Sequence, residues 1–236
     1  MTINGIDVST WGARQSTVRF GQTNYTNSSY WKAGTAIPMI FSGITGFKSL
    51  TVTLIFRDGT RNDKLKGASD VVAACKDKVA LILDGIDHRF TGYLVSAQNE
   101  ELSTRWLHRL TLQFSGYEHG ANFEVSGTSS LTINNPGNTA SPARVALTPS
   151  ANISSVTLTG LCRDPYTGED QPVTINSLTN GRLIVLNGIN GGITEAPGNP
   201  KDVDIWHLPT MLPGVNTVTC SDSRVDIMIR TIPIYA

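Results

Sequence analysis

The densest polar cluster in the sequence is Asp84, Asp87 and His88 in the run LDGIDHRF. An imidazole beside two carboxylates has the makings of a metal site or an acid–base pair. A metal needs several ligands converging at short range. Asp84-Gly85 is also the chemistry of a β-turn between two strands, and a turn is the expectation. The neighbouring carboxylates Glu100-Glu101, and those between Asp164 and Asp170, can be weighed as a glycosidase pair. Such a pair must flank a sugar-binding cleft at a set separation, and no aromatic or polar partners near either group mark one, so both are expected to be solvated loops. Asp58 to Asp63 resembles a calcium loop but lacks the central Gly and terminal Glu that an EF-hand requires. No Ser stands in a G-x-S-x-G elbow, and no Gly cluster is followed by Lys-Ser/Thr to cradle phosphate. The remaining histidines are given structural roles. His108 is expected to be a satisfied core residue on the apolar face of a strand, His207 to cap a loop, and His119 to lie in a flexible junction. The expectation is a protein without catalytic, metal or cofactor sites.

Composition agrees with that restraint. The 236 residues carry 16% charged side chains against about 25% in a typical domain, and Thr, Ser, Asn and Gly take their place, which favours strands and turns. Lys+Arg and Asp+Glu are equal at 19 each, with no run of like charge, so stable electrostatic capture of nucleic acid or an anionic membrane is not indicated. Cys75, Cys162 and Cys220 are odd in number and far apart. They suit buried apolar positions in a reducing compartment. The start of the chain has neither a basic region nor an apolar core, and no run of about 18 apolar residues occurs. Synthesis in a cytoplasm, with no membrane partner, is expected.

The elements follow from periodicity. Residues 1–46 hold many Gly, Thr and Asn together with Trp11, Phe20, Tyr25, Tyr30, Trp31 and Phe41, the pattern of an extended arm or short strands. SLTVTLIFRDG alternates Leu50, Val52, Leu54 and Phe56 against Thr51, Thr53 and Arg57, a half-buried strand ending at Asp58-Gly59. Ile55 interrupts the polar face, as a residue covered by a neighbour would. Leu65, Ala68, Val72 and Cys75 recur at three- and four-residue steps and predict one helix between Asn62 and Lys78. Asn62 or Asp63 is placed to cap it, Lys76 and Lys78 suit its C-terminal end, and Gly67 weakens its first turn. VALILDG, HRFTGYLVSAQ and RWLHRLTLQFSGY then read as strands, the last with Trp106, His108, Leu110, Leu112 and Phe114 on one face. A Gly/Ser/Asn/Thr-rich stretch from Ser115 to Ser141 suits a boundary. Beyond it short strands are punctuated by Asn180-Gly181, Asn187-Gly188 and Pro213-Gly214, the mark of an antiparallel sandwich. The final strand should bury Val225, Ile227 and Ile229 and expose Asp226, Met228 and Arg230. The fold class is mainly β: an N-terminal α+β domain over 1–125 and a C-terminal β-sandwich over 126–236.

This order of elements resembles the distal tail proteins of long-tailed phages. LTINNPGNTASP, Leu131 to Pro142, is similar to the family's entry into its C-terminal domain. HLPTMLPGVN, His207 to Asn216, before VTCSDSRVDIMIRTIPIY is similar to its ending, and SLTVTLIFRDG with the helix and the Leu-Asp-Gly turn resembles its belt domain. The resemblance implies a six-membered ring of this chain at the end of the tail tube in the virion, single or as two rings back to back. It implies a galectin-like sandwich that points outward and docks other parts without binding sugar. Its implied partners are the tail tube protein, a tail-associated hub or lysin protein, and receptor-binding or other baseplate proteins, with DNA passing through unbound.

Strand Ser49 to Phe56 carries no charge before Arg57, whereas soluble edge strands usually do. Thr51, Thr53, Ile55 and Arg57 are therefore the expected ring interface, with the strand's edge pairing to a neighbouring copy. Three rivals compete: a carbohydrate-binding sandwich, which needs a platform from Trp206, Tyr166 and Tyr235; a tail-associated hydrolase using Asp84 or His88; and another tail-tube or tail-completion ring protein.

Overall fold

The computed structural model describes residues 1–26, 29–30, 39–40, 44–102, 107–164 and 167–236. The chain divides into two compact units, Met1–His119 with Ala236, and Gly120–Tyr235. The expected arm positions Trp31 and Phe41, and also Trp106 and Tyr166, lie outside the described residues.

In the N-terminal unit one antiparallel sheet runs in the order Ile6–Asp7, Thr2–Ile3, Val79–Ile82, Arg89–Glu101, His108–His119, Ile44–Phe56, Ala13–Thr26. Alternation decides its faces. Leu50, Val52, Leu54 and Phe56 are fully buried beside Leu110, Leu112 and Phe114, while Thr51, Thr53 and Ile55 are half-buried on the opposite face. The long first strand, Ala13–Thr26, is invisible to simple alternation because its pairing with Ile44–Phe56 slips between Gln15 and Thr17, between Phe20 and Thr23, and again by Tyr25. Each slip resets the period-two phase that marks a strand in sequence.

Among the described residues one long helix, Arg61–Ala74, packs on the buried face, and of the expected stripe Ala68, Val72 and Cys75 meet the core while Leu65 does not. Lys64, Gly67, Ala68 and Val71 are buried, whereas Leu65 is exposed. Its cap is Thr60, in place of Asn62 or Asp63. The Asp63 amide donates to Thr60 Oγ1 at 3.2 Å and the Thr60 amide donates to Asp63 Oδ2 at 2.9 Å, a reciprocal box that satisfies two otherwise orphaned donors.

The C-terminal unit is an antiparallel sandwich. One sheet orders Phe123–Gly127, Val225–Thr231, Ser141–Pro149, Ile184–Asn187, Ile193–Glu195 and Asn199–Pro200; the other orders Ser130–Asn135, Gly214–Cys220, Ile153–Arg163, Asp170–Leu178 and Val203–Asp204. Side chains of both sheets share one apolar cluster, including Val145, Leu147, Ile227 and Ile229 from the first and Ile133, Leu158, Val173 and Val218 from the second. Val225–Thr231 alternates as expected, with Asp226, Met228 and Arg230 outward. Cys162 and Cys220 lie in this core, and burial pushes the Cys162 thiol up to about 12, so it behaves as a small apolar residue.

Candidate functional site

The strand on which the interface was expected lies inside the sheet. Thr53 stands opposite Thr17 on one side and Thr111 on the other, and Thr51 opposite Arg19 and Gln113. Both backbone edges from Lys48 to Phe56 are thus consumed within the chain, which rules out edge pairing to a second copy along Thr51–Ile55. The lack of charge from Ser49 to Phe56 reflects an interior strand and not a protected edge. Arg57 follows the strand and is exposed.

The open edges are elsewhere. Among the described residues Ala13–Thr26 pairs on one side only, with Ile44–Phe56. Arg89–Glu101 pairs with Val79–Ile82 only from Arg89 to Gly92, and from Tyr93 to Glu101 its one strand partner among the described residues is His108–His119. Val95 to Glu101 is exposed on both faces, so this half-strand offers backbone donors and acceptors along a free edge. Glu100 and Glu101, expected in a loop, belong to it. Glu101 accepts from Arg61 at 2.8 Å, and a Glu100 oxygen lies 3.7 Å from Arg109 Nε.

The face that bears Thr51, Thr53 and Ile55 is mostly polar, with Ile55 and Leu102 its apolar members. A groove of about 490 Å³ crosses it, lined by Thr17, Arg19, Thr51, Thr53, Arg109 and Thr111 among others. The register puts these side chains in rows across four strands: Thr17, Thr53, Thr111, Gln98; and Arg19, Thr51, Gln113, Ser96. Ser96 Oγ donates to Gln113 Oε1 at 2.9 Å.

The titratable groups resolve into structural roles. Asp84-Gly85 is a turn: the Asp84 amide donates to Gln15 Oε1 and Gln15 Nε2 donates back to the Asp84 carbonyl, while the Asp84 carboxylate pairs with the amino group of Met1. His88 does not turn towards Asp84. Its Nδ1 hydrogen-bonds Glu118 Oε1 at 2.6 Å, and Lys48 Nζ donates to Glu118 Oε2 at 2.5 Å. Burial pushes the Glu118 carboxyl up, but the hydrogen bonds and charges of Lys48 and His88 outweigh it and hold it below its ordinary value. His119, placed by sequence in a flexible junction, ends strand His108–His119, with Nε2 2.9 Å from Thr91 Oγ1. His108 is a core histidine at 1% exposure; among the described residues neither ring nitrogen has a hydrogen-bond partner, and Nε2 lies 4.0 Å from Glu101 Oε1. Asp164 closes its own loop by accepting from the Thr167 amide. Among the described residues no three His, Cys, Asp or Glu side chains are grouped to hold a metal ion.

In the sandwich, Trp206 is 78% exposed on a bend, while Tyr235 is half-buried. The Asn-rich turns quoted from the sequence act as clamps. Buried Asn135 donates to Ser141 Oγ at 3.2 Å and to the Met211 carbonyl at 3.1 Å, and accepts from the Gly137 amide at 3.0 Å. Asn216 donates to the carbonyls of Leu212 and Gly214 and accepts from the Leu212 amide.

No family model matches the sequence, and no curated protein does. Among solved structures the chain is similar to the Dit (gp 19.1) protein of phage SPP1, described as a paradigm of the hub adsorption apparatus in phages that infect Gram-positive bacteria. The TM-score is 0.74 at 15% identity, over 99% of this chain and 98% of that one. It also aligns with a chain of the phage p2 baseplate in its activated conformation, at a TM-score of 0.43 and 10% identity over 95% of this chain and 92% of that one. The first likeness establishes a shared fold along nearly the whole length.

Proposed function

We propose that this chain is a structural, non-catalytic subunit of a phage tail tip, closing into a six-membered ring that joins the tail tube to the host-adsorption apparatus. The fold shared with the SPP1 Dit protein supports the setting. The observation that carries the ring is the pair of open edges at opposite sides of one antiparallel stretch, Arg89–Glu101, His108–His119, Ile44–Phe56, Ala13–Thr26. Directions alternate across it, so its first and last strands run oppositely. A second copy, turned about an axis along the strands, brings its Arg89–Glu101 edge beside the first copy's Ala13–Thr26 edge in antiparallel sense. Repetition of that step closes a head-to-tail ring and leaves no free edge.

The helix lies on one face of the sheet, so closure turns the thinner face, with Thr51, Thr53 and Ile55, towards the opening. These residues then contribute side chains to the wall, and Arg57 stands at the end of their strand. The sandwich, Gly120–Tyr235, is the docking module for other tail-tip proteins. Mass measurement of the native protein combined with negative-stain images tests the ring: a six-fold annulus, single or paired, is expected. A chain that stays single at high concentration and also fails to join tail components overturns it.

A further inference from the structure

We propose that neighbouring copies of this chain meet in one fixed register, set by an ion pair between Arg14 of one copy and Glu100 of the next. The inference rests on the ring reading and adds the register of its joint. Inside one chain the cross-strand partners align Arg14, Ile55, Arg109 and Glu100 in a single row across four strands, on the face that bears Thr51 and Thr53. The row begins with a cation on one open edge and ends with an anion on the other. Arg14 is exposed and has no ion-pair partner among the described residues. Glu100 stands 3.7 Å from Arg109 with its side chain 53% exposed, which leaves room for a second guanidinium. A copy docked without offset sets its Glu100 directly opposite Arg14 of the first, and the carboxylate then lies between two guanidiniums. Opposite charges directly across a strand pair attract, and like charges there repel.

The other rows agree at the same register. On the core side Phe20, Leu50, Phe114 and Leu94 form one row, and its two ends, Phe20 and Leu94, are half-buried apolar side chains packed on the core. Without offset they meet across the joint, and the apolar layer continues from copy to copy. On the polar side the row ends bring Thr17 to Gln98 and Arg19 to Ser96, which sets no like charges together. The ladder permits this joint as well. Narrow and wide pairs alternate along a row of antiparallel strands, and with four strands per copy the pair across the joint takes the spacing that the row requires. A one-residue offset would set polar against apolar faces. An offset of four residues would bring Arg19 to Glu100, but it would place Phe20 against Asn99.

Charge reversal tests the register, with the assembly mass of the full chain as readout. Arg14→Glu alone, or Glu100→Arg alone, should lose the six-chain species at a concentration where wild type forms it. Mixing the two variants equally should restore it with both alternating round the ring, because every joint then pairs opposite charges. The variant carrying both substitutions should also assemble. Full assembly of either single variant, or a mixture that stays apart, overturns the inference and leaves the ring in place. So does restoration by Arg19→Glu mixed with Glu100→Arg, which would assign the four-residue offset. A second measurement needs only two copies. Arg14→Cys mixed with Glu100→Cys should cross-link chain to chain under added copper phenanthroline, since directly opposed strand residues lie within disulfide reach. The native thiols Cys75, Cys162 and Cys220 are buried. Cross-linking without a six-chain mass sinks the six-fold ring alone, and a ring without cross-linking sinks the register alone.

Discussion

A Cβ placed on Gly67 would lie 2.3 Å from the carbonyl oxygen of Trp11 and 3.0 Å from the Phe56 ring, so the helix rests on the Val8–Trp11 turn through a position only glycine can occupy. In sequence, Gly67 reads as a weak point in a helix. In the fold it is the point of closest approach. Gly67→Ala should gain helix propensity of about 1 kcal/mol and still lose stability, because relieving the overlap costs about 1–3 kcal/mol beyond that gain. Chemical denaturation of the variant measures the sign directly; a more stable Gly67→Ala protein would refute the close approach.

Glu118 joins Lys48 and His88 at 8% exposure. Removing its charge while keeping its shape, Glu118→Gln, should cost about 1.5–3 kcal/mol at pH 7, the scale of hydrogen bonds to charged groups. The carboxyl is held below its ordinary value of 4.5 in the folded chain. Its contribution is therefore fully present above 4.5 and is lost as pH falls through the lower folded value. The gap between wild type and variant should therefore be constant at neutral pH and narrow progressively as pH falls below 4.5. Urea midpoints across that range check it, and a constant gap would assign the loss to packing.

Asn135 is 1% exposed and spends its amide on Ser141, Met211 and Gly137. Asn135→Ala leaves the Met211 carbonyl and the Gly137 amide without this partner in the interior, at about 1–3 kcal/mol for each unsatisfied group. Hydrogen exchange should show the loss concentrated in Gly120–Tyr235, with the amides of Met1–His119 unchanged.

Proline separates interior from edge strands. Thr53→Pro removes a ladder bond from a strand paired on both sides and should unfold the N-terminal unit. Gln98 and Asn99 are consecutive on the free half-strand, so one of them directs its amide outward. Of Gln98→Pro and Asn99→Pro, one should keep the native circular dichroism and lose ring assembly. If both fold and both assemble, the edge named here is not the one that pairs.

Much of the architecture is legible in the sequence. SLTVTLIFRDG and RVDIMIRT announce strands because each alternates against a single core, and the Asn-Gly and Pro-Gly turns carry their own conformational chemistry. The mainly β class and the helix Arg61–Ala74 follow from those local patterns. Three matters were not legible. The start of the helical stripe is not legible because its first buried positions are Lys64 and Gly67, residue types that hydrophobicity does not count as core, while Leu65 is exposed. Ala13–Thr26 reads as an extended arm or short strands, and not as one long paired strand, because its register slips break the alternation.

The interface residues Thr51, Thr53, Ile55 and Arg57 were chosen because a charge-free strand looks like an edge awaiting a partner. A strand paired on both sides presents the same composition, since its backbone is satisfied either way. Local sequence determines which face of a strand is apolar, because side chains alternate within one chain segment. Which strands end up at the rim depends on pairing between segments as distant as Thr17, Thr53 and Thr111. That order is set by long-range packing and loop closure, and only the tertiary structure decides it.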